Sequence, residues 1–183
     1  MTRKKLPLGI ENFARLVDPN NHYCFVDKTL MIKELLDSEE VISLLLRPRC
    51  WGKSLNLSML HHFFSSNVSG HPTHGLFNAL KIGQADNGKY LAHQGKHPVI
   101  FITFQWVKQL TFEGVVNKIK GLIQDICQQH IELKSSPKLN KIDKQLFGRM
   151  LDKTLDLTEL CASLKNLSMF FKKTSQHYSF YID

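Results

Sequence analysis

The chain has 183 residues, of which 43% are hydrophobic and 22% charged, as is ordinary for one globular domain with its own core. Its formal net charge of +8 suits an anionic partner, either a nucleotide, a nucleic acid or an acidic protein face. No apolar run approaches the roughly 18 residues that span a membrane, and the N-terminus lacks the apolar stretch of a signal peptide. We therefore expect a cytoplasmic protein with no membrane partner.

Residues 1–40 are predicted to form an N-terminal segment and a first helix. The cluster Asp18-Pro19-Asn20-Asn21 predicts a turn, and residues 22–26 form a short apolar strand candidate. Either Asp27 or Thr29 can cap the helix that follows. The inner face of this helix is predicted to hold four apolar residues, Leu30, Met31, Leu35 and Leu36.

Strands and helices are predicted to alternate from residue 41 onward. Residues 41–46 and 97–104 are short apolar runs, typical of strands that are buried on both faces. Residues 54–64 have apolar side chains at helical spacing, namely Leu57, Leu60 and Phe64. The longest periodic pattern predicts a helix over residues 112–127. A further helix is predicted over residues 157–171, with Asp156 as its N-cap and Glu159 completing a capping box.

The last apolar run, residues 178–182, ends on a single carboxylate, Asp183. Strands that alternate with helices indicate an α/β domain with a mainly parallel sheet.

The segment Arg47-Pro48-Arg49-Cys50-Trp51-Gly52-Lys53-Ser54 lies between a predicted strand and a predicted helix, which is the layout of a phosphate-binding P-loop. Gly52 would allow a tight turn, Lys53 would reach the phosphates of a nucleotide, and the Ser54 hydroxyl would ligate Mg²⁺. The first glycine of the usual motif is replaced by Arg47. The alternative is that Gly-Lys-Ser merely begins a helix.

Asp183 is the natural partner of this loop, because in P-loop enzymes a carboxylate at the end of an apolar strand holds Mg²⁺. The alternative is a strand-terminal aspartate in an ordinary turn. We predict no catalytic residue.

Other kinds of site find little support in the sequence. The histidines at positions 61, 62, 71 and 74 have no cysteine or carboxylate cluster beside them, so we do not predict a zinc site. No G-x-S-x-G motif supports a hydrolase. The four cysteines form no C-x-x-C pair, and Cys127 and Cys161 are predicted to be small core residues on apolar helix faces.

Taken together, these segments resemble the AAA-ATPase-like proteins, a P-loop family often joined to a C-terminal PD-(D/E)XK nuclease-like domain. The family loop typically reads R-P-R-R-F-G-K-[ST], so Arg47 is a family feature, whereas Cys50 and Trp51 depart from it. The resemblance covers essentially the whole chain. Its matching segments are residues 6–10 with Phe13, Tyr23, 26–29, 47–55, 57–60, 63–64, 76–77, 98–100 and 181–183.

The resemblance implies a three-layer, P-loop NTPase-like α/β fold that is incomplete at its C-terminus. It implies one domain over residues 1–183, with the P-loop core in residues 41–183, that binds ATP and Mg²⁺ through residues 47–54. It also implies that Ser54 and Asp183 serve the metal. The family strand normally continues I-D-E-Y-D, whereas this sequence stops at Asp183 and lacks the glutamate that would activate water. We therefore expect a truncated protein or a fragment that hydrolyses ATP poorly or not at all.

Two other interpretations stay open. The charge of +8 is compatible with a non-catalytic interaction module that binds nucleic acid and keeps the P-loop shape without a nucleotide. A structurally defective product that aggregates is the third.

Overall fold

The computed structural model describes residues 4–38, 40, 42–46, 48, 51–174 and 179–182, the last four through their backbone alone. The chain divides into two compact units, Met1–His97 and Pro98–Asp183.

The first unit is built mainly from short helices. Its α-helices are α1 (Phe13–Val17), α2 (Leu30–Asp37), α3 (Lys53–Phe64) and α4 (Lys81–Gln84), and its 3₁₀ helices cover Pro19–Asn21 and Ala85–His93. A small antiparallel hairpin joins β1 (Asn67–Val68) to β2 (His71–Pro72), with Val68 opposite His71.

Aromatic side chains form the core of the first unit. Phe13 of α1 stacks on Phe77 with ring centroids 5.2 Å apart, and Phe63 of α3 meets Phe77 edge-on at 5.0 Å. All three are at most 1% exposed. Burial of such large side chains contributes about 1.5–3 kcal/mol each, so this trio holds α1 against α3. A hydrogen bond of 3.0 Å from the Phe13 backbone N–H to the Ser58 hydroxyl fixes the register of the two helices.

The second unit packs three helices around a short parallel pair of strands. The helices are α5 (Phe112–Gln129), α6 (Lys141–Leu151) and α7 (Leu157–Thr174), and a 3₁₀ helix covers Ile131–Ser135. The strands β3 (Val99–Ile102) and β4 (Ser179–Ile182) pair in parallel, with Val99 opposite Ser179 and Ile102 opposite Ile182. The core is one cluster that includes Ile100, Ile123, Phe147, Leu167 and Phe170.

The long helices begin at side-chain caps that the sequence encodes locally. Thr111 accepts a hydrogen bond from the backbone N–H of Gly114, and Asn140 and Asp143 form a capping box at α6. At α7, Asp156 accepts from the N–H of Glu159 at 2.8 Å, and Glu159 accepts from the N–H of Asp156 at 3.1 Å. The capping box predicted at residues 156 and 159 is therefore confirmed. None of the helices within the described ranges combines the length and the hydropathy needed to cross a membrane.

The predicted fold class is wrong for the described part of the chain. We expected a three-layer α/β fold with a mainly parallel sheet, whereas the described residues are mostly helical and their strands form two separate two-stranded sheets, one antiparallel and one parallel. The predicted strand at 41–46 accounts for much of the difference. Residues 42–46 form no strand, and Ile42 and Leu44 are 85% and 79% exposed. An apolar run predicts burial, but a strand also needs a neighbouring backbone to pair with.

Candidate functional site

The predicted P-loop is partly described by the structure. Pro48, Trp51, Gly52, Lys53 and Ser54 have described positions. Three further loop positions, Arg47, Arg49 and Cys50, lie outside the described residues, as does Asp183. Their predicted contacts with phosphate or Mg²⁺ therefore stay predictions.

Gly52 turns the chain into α3. Its backbone lies in the left-handed region, with φ 78° and ψ 28°, where a residue with a Cβ is strained. The Gly52 carbonyl accepts the first helical hydrogen bond, from the N–H of Asn56 at 2.9 Å. Since glycine has no side chain, the start of α3 has no side-chain cap, and its first turn holds no acidic residue. A 12-residue helix that begins in this way presents partial positive charge at its N-terminus.

Lys53 folds back over the loop that precedes it. Its Nζ donates a hydrogen bond of 3.1 Å to the backbone carbonyl of Pro48, five residues earlier. The ammonium group is thus held on the loop side of the start of α3, and Ser54 follows it in the first helical turn. Both residues are half-buried. Lys53 and Ser54 thus lie at the start of a helix, as both the P-loop interpretation and its alternative predict.

A pocket of about 400 Å³ opens directly beside this loop. Trp51 and Gly52 form part of its wall, and α3 contributes Leu55, Asn56 and Met59. The rest of the wall comes from the N-terminal segment of the same unit, namely Pro7, Phe13, Leu16, Cys24, Phe25, Val26 and Lys28. The volume lies within the range of small-molecule sites, and the lining is mostly apolar, as such sites usually are.

A sequence profile for the family described as "Predicted AAA-ATPase" matches residues 7–177. The chain belongs to this AAA-ATPase-like family. It is also 35% identical, over 104 residues, to an uncharacterized protein from the vnfD 5′ region of Azotobacter chroococcum mcd 1. That match covers 57% of this chain and 18% of the other protein. No solved structure matches the chain.

Membership in the AAA-ATPase-like family suggests nucleotide binding in general terms. The described loop geometry lies inside the matched range, and so does every residue that lines the pocket. The family assignment made from the sequence is therefore confirmed.

In this AAA-ATPase-like chain, sequence reasoning missed the pocket beside the loop. Asn56 and Lys28 are polar groups in its wall, and neither was predicted as a site residue. A signal for Asn56 was present, because this 9% exposed residue lies three, four and seven positions before the buried residues Met59, Leu60 and Phe63. A polar residue on the buried stripe of a helix often marks a site. Of the predicted apolar face, Leu60 and Phe64 are buried, whereas Leu57 is only half-buried.

His62 of α3 has a structural role in the AAA-ATPase-like chain. His62 is 5% exposed, and its Nδ1 donates to the backbone carbonyl of Ser58 at 2.7 Å. Desolvation by burial lowers the pKa of His62, and the hydrogen bond to Ser58 only partly opposes this effect. Among the described residues, no group of three or more histidine, cysteine or acidic side chains could hold a metal ion.

Proposed function

We propose that the chain binds ATP with Mg²⁺ at the start of α3. The observation that carries this proposal is the placement of the Lys53 ammonium, held 3.1 Å from the Pro48 carbonyl beside a helix start that has no side-chain cap. Family membership supports a nucleotide as the ligand.

The phosphates are proposed to bind between the loop and the first turn of α3. The partial positive charge of the helix start and the charge of Lys53 both favour an anion there. On binding, Lys53 would exchange the carbonyl of Pro48 for a phosphate oxygen, which is the stronger acceptor. Arg47 and Arg49 would add positive charge, and Cys50 would leave room where a basic residue is usual in the family.

Mg²⁺ is proposed to bind between the nucleotide and the Ser54 hydroxyl. Magnesium prefers oxygen ligands and keeps several waters, so one hydroxyl and the phosphates form a sufficient set. The second predicted ligand, Asp183, lies outside the described residues and stays a prediction from the sequence. When bound, the ion would neutralise charge on the phosphates.

The adenine base is proposed to occupy the pocket beside Gly52. The pocket adjoins the phosphate position through Trp51 and Gly52, and its apolar wall suits the faces of a purine. Trp51 is 62% exposed at the edge of this pocket, so its ring is accessible to a ligand. Asn56 supplies an amide that can recognise a polar edge of the base.

Titration with a fluorescent ATP analogue tests the phosphate site. We expect Lys53→Ala to weaken binding about tenfold or more, as the loss of a charge-assisted contact of about 1.5–3 kcal/mol predicts. Lys96→Ala is the matched control, because Lys96 is an exposed lysine of the same unit and does not line the pocket. Equal affinity in the wild type and Lys53→Ala would remove the proposal. Thermal melts of both variants establish that they are folded.

Competition between ATP and inorganic tripolyphosphate tests the base pocket. If the base enters the pocket, ATP should displace the analogue at a lower concentration than tripolyphosphate does. Equal potency would confine the proposed site to the loop and leave the pocket without a role.

A further inference from the structure

Positive charge in the second unit is concentrated in two segments. Residues 130–144 and 165–174 contain seven lysines and two acidic residues, for a net charge of +5. The remainder of Pro98–Asp183 contains five basic and six acidic residues, for a net charge of −1. The lysines are Lys134, Lys138, Lys141, Lys144, Lys165, Lys172 and Lys173. The whole positive excess of this unit thus belongs to these segments.

The fold brings the two segments together at one end of the unit. Lys138 Nζ donates to the backbone carbonyl of Thr174 at 3.0 Å, and Lys173 Nζ contacts Asp143 Oδ2 at 2.6 Å. The rings of His130 and Phe171 meet edge-on, with centroids 4.7 Å apart. The start of α6 therefore lies against the end of α7, and we call the surface formed by the seven lysines the α6–α7 basic surface.

Most of this charge faces solvent. All seven lysines are exposed except Lys144, which is half-buried. Asp143 pairs with Lys173 and takes part in the capping box of α6, so the charge of Lys173 is largely neutralised and the other six lysines supply the positive charge of the surface. The side chain of Glu132 is 68% exposed and lies 3.5 Å from the ring of His130.

We propose that the α6–α7 basic surface binds the phosphate backbone of double-stranded nucleic acid without sequence preference. Clustered lysines act as mobile point charges, which suit a regular array of phosphates. Carboxylate partners are recognised more typically by the planar fork of arginine. Arg149 is the sole arginine in the sequence of the second unit, and it bonds Glu159 and the Thr154 carbonyl.

Burial of the neighbouring aromatic rings favours a duplex over a single strand. Surfaces that bind single strands stack bases on exposed aromatic side chains. Phe170 and Phe171, the aromatic residues within residues 165–174, are 1% and 2% exposed and belong to the core. A duplex needs no such platform, because its bases are already stacked.

Two charge-reversal variants with equal net charge test the proposal. The surface variant is Lys134→Glu, Lys141→Glu and Lys172→Glu, three exposed lysines that form no ion pair with any described residue. The control is Lys108→Glu, Lys118→Glu and Lys153→Glu, three exposed lysines of the same unit outside the two segments. Each variant lowers the net charge of the chain by six, so a difference between them reports position rather than total charge. Circular dichroism verifies that both variants keep their helices.

The readout is the fluorescence anisotropy of a labelled DNA duplex of about 20 base pairs, titrated at several salt concentrations. We expect the wild type to bind with an affinity that falls steeply with salt. At about 0.1 M salt, the surface variant should bind the duplex about tenfold or more weakly than the wild type. Its slope of log K against log salt should be less negative by about 3. The control should stay within about threefold of the wild type, because charges beyond a Debye length of roughly 10 Å are screened.

Three results would overturn the proposal: no binding by the wild type at low salt, equal losses in the two variants, or a preference for another polyanion. Poly-glutamate and vesicles of anionic phospholipid provide the last comparison, and tighter binding to either would assign the surface to an acidic protein or a membrane. The Lys53→Ala variant should bind the duplex with the same affinity as the wild type. The test of duplex binding is therefore independent of the test of ATP binding.

Discussion

The carboxylate of Asp27 accepts a hydrogen bond of 2.8 Å from the backbone N–H of Lys81, 54 residues along the chain. The other carboxylate oxygen accepts from the backbone N–H and the hydroxyl of Thr29, at 2.8 and 2.6 Å. The Thr29 hydroxyl in turn accepts from the N–H of Ile82 at 3.1 Å. We expected either Asp27 or Thr29 to cap α2. Thr29 is the N-cap residue of α2 but makes no side-chain cap bond there, and both side chains instead accept from N–H groups at the start of α4.

This arrangement keeps Asp27 ionised. Burial raises the pKa of its carboxyl, but the hydrogen bonds from Thr29 and from the N–H of Lys81 outweigh burial and hold the pKa below its ordinary value of 3.8. Thr29 is fully buried, so its hydroxyl depends on these partners.

Replacing Asp27 with alanine should lower the free energy of unfolding by about 2 kcal/mol, since hydrogen bonds to a charged group contribute about 1.5–3 kcal/mol and the amide at the start of α4 loses its acceptor. Urea titration followed by circular dichroism measures this loss. Glu34→Ala on the exposed face of α2 is the control and should change stability by no more than about 0.5 kcal/mol. A loss in Asp27→Ala that does not exceed the control would show that the link from Asp27 to α4 contributes no stability.

His62 should make the stability of the chain depend on pH. Its pKa in the folded state is below the ordinary 6.5, so the unfolded chain binds a proton at a higher pH than the folded chain does. The contribution of neutral His62 is complete above pH 6.5 and is lost as the pH falls through the folded-state pKa. The slope attributable to one such group is at most about 1.4 kcal/mol per pH unit.

The variant His62→Asn isolates this effect, because asparagine keeps an N–H donor for the Ser58 carbonyl and does not titrate. The difference in unfolding free energy between the wild type and His62→Asn should be constant above pH 6.5 and should shift in favour of the variant toward about pH 5. His71→Asn, at an exposed histidine, is the control for the substitution itself. A constant difference across the range would contradict the prediction.

Local signals in the sequence were the easiest to interpret correctly. The capping box of Asp156 and Glu159 needs only neighbours within one turn, and the structure contains it as predicted. The capping prediction at Thr29 found a capping side chain but assigned it to the wrong helix, since its partner at Ile82 is distant in sequence.

Cys161 was predicted to be a core residue but is exposed, whereas Cys127 is buried as expected. Helical periodicity cannot resolve an error of a single position at the edge of an apolar face.

The predicted fold class was wrong because the sequence of one segment does not determine which other strand it pairs with. The apolar pattern at 41–46 matches a buried strand, yet the described residues 42–46 form none. For the site, the contiguous motif predicted Gly52, Lys53 and Ser54 at a helix start, whereas the pocket joins α3 to Pro7 and Val26, which are distant in sequence. Contacts of this kind follow from packing, which periodicity in one element does not encode.

The thiols offer a chemical test of burial and of the pocket together. Burial raises the pKa of Cys127 to about 12, whereas Cys24 and Cys161 are exposed. Iodoacetamide should therefore alkylate Cys24 and Cys161 in the folded protein and Cys127 only after denaturation, because the thiolate is the reactive form. Peptide mass spectrometry identifies each site.

ATP adds a second comparison in the same experiment, because Cys24 lines the proposed base pocket. Saturating ATP should slow the alkylation of Cys24 several-fold and leave Cys161 unchanged, whereas tripolyphosphate should protect neither. If ATP does not change the rate at which Cys24 is alkylated, although the fluorescent ATP analogue still binds, the base must bind outside this pocket.

Two glycines should respond to substitution for different physical reasons. Apart from its chain neighbours, no described residue has an atom within 4 Å of a Cβ at Gly52, so we expect Gly52→Ala to cost only what a left-handed backbone costs, about 1–2 kcal/mol. Gly52→Asn should cost less, because asparagine tolerates this conformation. A Cβ at Gly83 would instead collide with the backbone carbonyls of Phe77 and Asn78, so Gly83→Ala should cost more than either. Urea titration should therefore show the smallest loss of stability for Gly52→Asn, a larger loss for Gly52→Ala and the largest for Gly83→Ala. An equal loss for the alanine and asparagine substitutions of Gly52 would contradict a left-handed turn before α3.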